Sequence, residues 1–303
     1  MTGGSDARAG DPAAPSVVVL PAVGEGDAEL PDDAPTELDR WLDAYDFERA
    51  IEVRGANASV RCTDSGIAVT PTGMGKVEAA TTVTALLSSP RFELSDAYFL
   101  STGIAGAPPD VGTLGAVFVA DAVIDWDLKH RWSNESSDVE LLGYRPRDYA
   151  YQLDEELVER GVRIAETVDL RDTDEWAAYR RRYDAEAARS TPFVATGATV
   201  CGDEFWHGRE CSELARWLVE QYDAGAYATS EMEDFGTAAT LDRFDALDRY
   251  LSVRSVANFD RPPKDESPEE SLDDGLAIDL ALENAFRATS AIAESLAENR
   301  RTQ

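Results

Sequence analysis

Four short segments carry residue types that could bind and transform a small molecule. Gly73-Met-Gly-Lys76 and Gly103-Ile-Ala-Gly106 are glycine-rich turns. Placed at two successive strand ends, such turns could present backbone N–H groups to an anion or a sugar oxygen, although each alone is also a common packing device. Cys201-Gly-Asp-Glu-Phe-Trp-His207 gathers two aromatics, two acids and one of the chain's two histidines. Phe205 and Trp206 suit a flat aromatic ligand, because a π face accepts stacking at little entropic cost; the same pair could equally plug a core. His207 could touch a ligand or cap the helix that follows. Glu231-Met-Glu-Asp234 opens a helical pattern. A carboxylate there is stabilised by the helix N-terminus while its oxygens accept two sugar hydroxyl protons, though acidic first turns are common for their own reasons.

These segments need elements to hold them, and the hydrophobic pattern alternates between strand-sized apolar runs and amphipathic stretches. Residues 16–23 read as a buried strand, followed by helical pattern from about Asp32 to Tyr45. Residues 66–72 form a second strand that runs into the first glycine turn and a helix through Leu87, ended by Ser-Ser-Pro90. Strands follow at 96–102, closing on Gly103-Ile-Ala-Gly106, and at 115–121. Residues 126–151 are polar, aromatic and irregular, as a loop over a site would be. Helices are expected at 152–168, 174–188, 209–222 and 232–241, and strands at 192–200, 226–229 and 250–257. A Pro-rich loop spans 259–270, and one long helix is expected over 272–298. The alternation predicts a single α/β domain over 16–303, a three-layer sandwich around a mixed, mostly parallel sheet, preceded by a disordered tail at 1–15. In such a sheet the ligand lies beyond the strand ends, which is where the four segments fall.

Composition narrows the function classes. Asp and Glu total 59 against 28 Lys and Arg, a net charge of −31, and only three lysines occur: Lys76, Lys129 and Lys264. Molar salt screens self-repulsion within roughly 3 Å, so this composition reads as adaptation to a salty cytoplasm. Nucleic acid is excluded as a partner, since phosphate contacts need clustered cations and the one tight cluster is Arg180, Arg181 and Arg182. No run reaches the ~18 apolar residues of a membrane helix, and residues 1–15 lack the apolar core of a signal peptide, so a cytoplasmic location is expected. Cys62, Cys201 and Cys211 fit no metal spacing. Neither a metal nor a cofactor is expected.

The ordered set Gly73-Met-Gly-Lys-Val-Glu-Ala-Ala80, Ser101-Thr-Gly-Ile-Ala-Gly106, Gly202-Asp-Glu-Phe205, Glu231-Met-Glu233 and Arg254-Ser-Val-Ala-Asn258 resembles the nucleoside phosphorylase and nucleosidase superfamily. The run from Gly202 to Gly208 is similar to the variant carried by the purine nucleoside permease family. The resemblance implies that Glu233 binds the ribose hydroxyls, that Met232 packs under the sugar, and that Phe205 lines the base pocket. Trp206, Glu231, Thr102 and Gly103 join them as nucleoside-binding candidates. Asn258 falls where many relatives carry an Asp that protonates the base. An amide cannot serve as that acid, but it can donate one hydrogen bond and accept another, which suits a 6-oxopurine.

Two departures follow from the same resemblance. Ser101 and Ile104 stand where phosphorylases bind phosphate, and Ile104 cannot hydrogen-bond an anion. Phosphate, the expected co-substrate, would then be held by Thr102, Lys76, Gly106 or an arginine of a neighbouring subunit; otherwise water replaces it. Val23-Gly-Glu-Gly26 is the candidate first loop, which brings Gly24 and Glu25 forward, Glu25 as a holder of attacking water. The expected activity is phosphorolysis of a purine nucleoside, 6-oxopurine preferred, in a homo-oligomer. Hydrolysis and nucleoside binding without turnover are its alternatives.

Overall fold

The computed structural model describes residues 11–24, 36–132, 139–144 and 148–301. The first strand, β1 (Val17–Pro21), is a run of buried apolar residues flanked on both sides by other strands, as expected of a central parallel strand. A short helix α1 (Asp39–Ala44) buries Trp41, and β2 (Arg49–Ile51), β3 (Val60–Cys62) and β4 (Ile67–Val69) form one margin of the sheet. Helix α2 (Lys76–Leu87) buries Ala79, Val83 and Leu86, one stripe at helical spacing. The long strands β5 (Tyr98–Ala107) and β6 (Val117–Asp125) come next, then the hairpin β7 (Lys129–Arg131) with β8 (Val139–Leu141), and β9 (Ala150–Gln152) on β6. Helices α3 (Glu155–Ala165), α4 (Asp174–Arg180) and α5 (Glu186–Arg189) lead to β10 (Val194–Cys201), α6 (Arg209–Gln221) and β11 (Tyr227–Glu231). The chain closes with α7 (Asp234–Arg243), β12 (Tyr250–Phe259), α8 (Pro268–Asp274) and α9 (Ile278–Arg301).

All the strands but β7 and β8 form one sheet, in the order β11-β10-β6-β12-β5-β1-β4-β3-β2 with β9 added on β6, and β7 and β8 pair only with each other. The central pairings β1–β5, β5–β12, β6–β10 and β10–β11 are parallel. Antiparallel pairs lie at the β2–β3–β4 margin, at β9 and where β12 meets β6. Ser230 of β11 also pairs with Gly106 of β5, which curls five strands back on themselves. Helices α2 and α7 pack together, as do α1, α3 and α9, with α7 and α9 each laid on the sheet. The result is the expected mixed α/β sandwich.

Several boundaries depart from the sequence reading. Gly103-Ile-Ala-Gly106 is not a turn: β5 runs through it to Ala107, because β12 supplies ladder partners as far as Phe259. The stretch expected as tail is partly built in, since Ala13 is buried and its N–H donates to the Arg91 carbonyl at 2.8 Å. The long C-terminal helix is two helices, α8 and α9. Between them Ala277 N–H donates to the Ala257 carbonyl of β12 at 2.7 Å, which a continuous helix would not allow. The irregular span 126–151 contains the β7–β8 hairpin and β9.

Candidate functional site

At the carboxyl ends of β1, β5, β10, β11 and β12 lies a cavity of about 310 Å³, at the small end of the roughly 300–1,000 Å³ usual for small-molecule sites. Its polar centre is a buried knot of charge. Arg254 sits inside β12, 2% exposed, and its guanidinium donates to Asp234 Oδ1 at 2.6 Å, Glu231 Oε2 at 3.1 Å and Glu233 Oε2 at 3.2 Å. Glu231 and Asp234 are held from both sides: Glu231 Oε2 accepts the N–H groups of Glu233 and Asp234 at 2.7 and 2.8 Å, and Ser252 Oγ donates to Asp234 Oδ2 at 2.5 Å. Glu233 is the N-cap residue of α7, and its Oε1 accepts the N–H of Gly75 at 2.9 Å. That reach depends on Gly236, where a Cβ would stand 2.1 Å from the Lys76 carbonyl oxygen. With hydrogen there instead, α7 lies directly on the start of α2.

A fourth carboxylate completes the knot. Glu37, two residues before α1, is buried, and its Oε2 accepts the N–H groups of Ala22 at 2.5 Å and Val23 at 3.2 Å. Its Oε1 accepts the N–H of Ile104 at 3.1 Å. Gly103 makes this possible, since a Cβ there would fall 2.2 Å from Glu37 Oε1 and 3.0 Å from Arg254 Nη1. Burial pushes the Glu37 pKa above the ordinary carboxylate range, while Arg254 and the three N–H groups pull against it. Burial likewise raises Glu231 and Glu233, because one guanidinium cannot offset so many desolvated acids. The cluster therefore holds exchangeable protons near neutral pH.

The rest of the cavity wall includes Phe205, Trp206, Met74, Ser230, Gly106 and Asn258. Trp206 stacks on Trp126 with ring centroids 5.0 Å apart, and Phe205 is 62% exposed at the mouth. Asn258 Nδ2 donates to the Phe259 carbonyl at 2.9 Å, which fixes the amide plane. The loop bearing the aromatics is tied down by two of the three lysines. Lys76 Nζ donates to Asp125 at 2.9 Å and Asp127 at 2.5 Å, and Lys76 N–H donates to Asp203 Oδ1 at 2.8 Å. Lys129 lies over the Trp126 ring, whose Nε1 donates to Glu204 at 2.8 Å.

The sequence candidates thus divide. Glu233, Glu231, Met232, Phe205, Trp206, Asn258 and Gly106 line one cavity. Thr102 does not: its hydroxyl shares a 2.9 Å hydrogen bond with Thr289 of α9. Gly103 opens space for Glu37 rather than for a ligand. Lys76 cannot serve an anion while two aspartates hold its ammonium. Gly24 packs against Pro71 and Leu38. Ser101 bonds Tyr250 at 2.8 Å, and His207 neither lines the cavity nor caps α6, whose N-cap is Gly208. Glu25 lies outside the described residues. The residues that sequence reasoning missed are Glu37 and the role of Arg254; an arginine within an otherwise apolar strand was a usable signal. Among the described residues no group of three or more His, Cys, Asp or Glu could hold a metal ion, and no helix is long and apolar enough to cross a membrane.

Comparison with known proteins agrees with this architecture. The fold is similar to that of a 5′-methylthioadenosine/S-adenosylhomocysteine nucleosidase from Neisseria meningitidis, with a TM-score of 0.61 at 18% identity over 93% of this chain and 99% of that one. It is also similar to the futalosine hydrolase of Helicobacter pylori, with a TM-score of 0.59 at 18% identity over 93% and 98%. In sequence, a probable purine nucleoside permease of Schizosaccharomyces pombe is 32% identical over 74% of this chain and 75% of its own length. A purine nucleoside permease of Candida albicans is 28% identical over 87% and 73%. The profile of the purine nucleoside permease (NUP) family matches residues 15–303, and the chain belongs to that family.

Proposed function

We propose that the protein hydrolyses the N-glycosidic bond of a purine nucleoside, with water held by Glu37 as the attacking group. The observation that carries this reading is the Glu37 carboxylate. It occupies the N–H groups of Ala22, Val23 and Ile104 that an incoming phosphate would otherwise claim, and it stands beside Arg254. A carboxylate in that position repels phosphate but accepts a proton from water. Glu233 accepts the ribose hydroxyls, Phe205 and Trp206 border the base, and Asn258 faces its edge. The C1′–N9 bond lengthens towards an oxocarbenium-like state, which the surrounding carboxylates stabilise, and water completes the displacement as Glu37 takes its proton. Positioning supplies much of the rate, since Glu233 caps α7, Asn258 sits at the end of β12 and Lys76 ties down the loop of Phe205 and Trp206.

The neutral Asn258 amide favours inosine or guanosine over adenosine, because it can satisfy O6 and N7 but cannot protonate N7. The test is incubation of purified protein with inosine, guanosine and adenosine, with and without phosphate, in high and low salt, followed by chromatography of free base. Base release that needs no phosphate supports hydrolysis. Phosphate-dependent release restores phosphorolysis. Tight binding without release favours a nucleoside-binding role, which the permease name of the family suggests.

A further inference from the structure

Hydrolysis of a nucleoside leaves a purine anion that must acquire a proton, and Asn258 at the base end of the cavity has none to give. A second polar group stands beside it. The position that a Cβ on Gly106 would occupy lies 2.9 Å from Ser230 Oγ and 3.2 Å from Asn258 Nδ2, so both side chains converge on one stretch of cavity wall. The Tyr227 phenol lies near Ser230 on that side, and Tyr227 Oη donates to Asp260 Oδ2 at 3.3 Å. In a regular strand residues 227 and 230 would face opposite sides of the sheet. Here the register slips: Ala198 pairs with Tyr227 and Thr199 with Thr229, so Ala228 is an extra residue that turns Ser230 to the Tyr227 side. A matching slip in β12, where Ala105 pairs with Val256 and Gly106 with Asn258, brings Asn258 level with Gly106, and Asp260 follows two residues on.

Resting on the reading of glycosidic cleavage, we propose that Asp260, Tyr227 and Ser230 form a proton relay that supplies the departing base. As the C1′–N9 bond breaks, its electron pair leaves with the base, and Ser230 Oγ gives its proton to a base nitrogen. Ser230 takes a proton from Tyr227, and Tyr227 takes one from Asp260, which remains as a carboxylate until solvent reloads it. The attacking water forms the C1′–O bond and yields its proton to Glu37, so charge and protons balance. Asp260 is placed for this task. It is 1% exposed, and among the described residues its Oδ1 has no hydrogen-bond partner. The groups that face it are Arg261, with Nε 4.0 Å away, Arg216 and Ser212 from α6, and Tyr227 from β11. Both arginines also pair with Asp110 towards the surface. Gly208 N–H donates to the Asp260 carbonyl at 2.8 Å, so the loop carrying Phe205 and Trp206 is anchored on the same residue. Burial pushes the Asp260 pKa up to about 6, so the carboxyl keeps its proton in mildly acidic solution and loses it as pH rises through that value.

The experiment compares inosine with 4-nitrophenyl β-D-ribofuranoside, whose nitrophenolate departs without a proton, in wild type, Tyr227→Phe, Ser230→Ala, Ser230→Thr and Asp260→Asn. Wild type cleaving both substrates establishes the underlying reading. The relay then predicts that Tyr227→Phe and Ser230→Ala lose at least about tenfold in kcat on inosine but under about threefold on the nitrophenyl riboside. Ser230→Thr, which keeps the hydroxyl, restores inosine turnover, and Asp260→Asn flattens the fall in inosine kcat above pH 6. Equal losses on both substrates, or inosine kcat unchanged in Tyr227→Phe, overturn the relay while leaving hydrolysis intact. A wild type that cleaves neither substrate overturns both.

Discussion

Replacing Glu37 with Gln keeps the side chain's shape and removes its charge. The carboxylate accepts three backbone N–H groups through two oxygens, whereas the amide has one acceptor and must turn its NH₂ towards either Ile104 or the Ala22–Val23 pair. At least one buried N–H then faces another donor, a cost of about 1–3 kcal/mol. The same substitution relieves the desolvation of a buried negative charge, so the net change in stability is smaller than that figure. Turnover has no such compensation. With its base gone, water attack should slow by about 10²–10⁴-fold, equivalent to about 3–5 kcal/mol of barrier. The assay is hypoxanthine release from inosine at saturating substrate, with the melting temperature as a control for folding. Glu37→Ala carries the argument further: it frees the three N–H groups and exposes Arg254, so added phosphate should raise the melting temperature of that variant and not of wild type. Glu37→Gln that folds and retains kcat within threefold would refute the assignment of Glu37, and phosphate protection of the wild type equal to that of Glu37→Ala would refute the occupied anion site.

Four other expectations follow from the same contacts. Arg254→Met strands Glu231, Glu233, Asp234 and Glu37 without their cation, and should lower unfolding free energy by about 3–5 kcal/mol in a denaturant titration. Lys76→Met releases Asp125 and Asp127 and loosens the loop from Asp203 to Trp206; the loss of charge-assisted bonds worth about 1.5–3 kcal/mol should appear in KM for inosine more than in kcat. Asn258→Asp, when protonated, can turn its one O–H from the Phe259 carbonyl to the base, and in that form should shift the inosine-to-adenosine ratio of kcat/KM towards adenosine by roughly five- to hundredfold. Asp260 has a folded pKa raised from 3.8 to about 6, so between those values the folded chain holds a proton that the unfolded chain releases. Stability should therefore fall as pH rises through this window, by up to about 3 kcal/mol, and Asp260→Asn should remove that slope in melting curves.

What the sequence disclosed of the site follows from locality. Glu233, Met232, Phe205 and Asn258 each lie at the end of an apolar strand, where a short polar segment after buried residues marks the edge of the sheet, and the structure brings all four to one cavity. Glu37 is different. It stands well past the end of β1 among many other acids, and nothing in its neighbours distinguishes it from Asp39 or Glu48. Its place is fixed by three N–H groups from two strands and by the missing Cβ of Gly103, a coincidence of distant segments that no local pattern encodes. Thr102 failed for a related reason. Its hydroxyl is taken by Thr289 of α9, a partner from a distant segment that the strand pattern around it does not announce. The bulges in β11 and β12 were equally hidden, since Ala228 and Ala257 look like ordinary strand residues until their partners are known.

The source of the oxygen that replaces the base on C1′ tests the central claim most directly. Inosine cleaved in oxygen-18 water containing phosphate should give free ribose and no ribose 1-phosphate, with the label at C1 in a single turnover read by mass spectrometry before the anomeric oxygen of free ribose exchanges with solvent. Unlabelled ribose 1-phosphate as the product would place phosphate, not a water held by Glu37, at the reacting carbon.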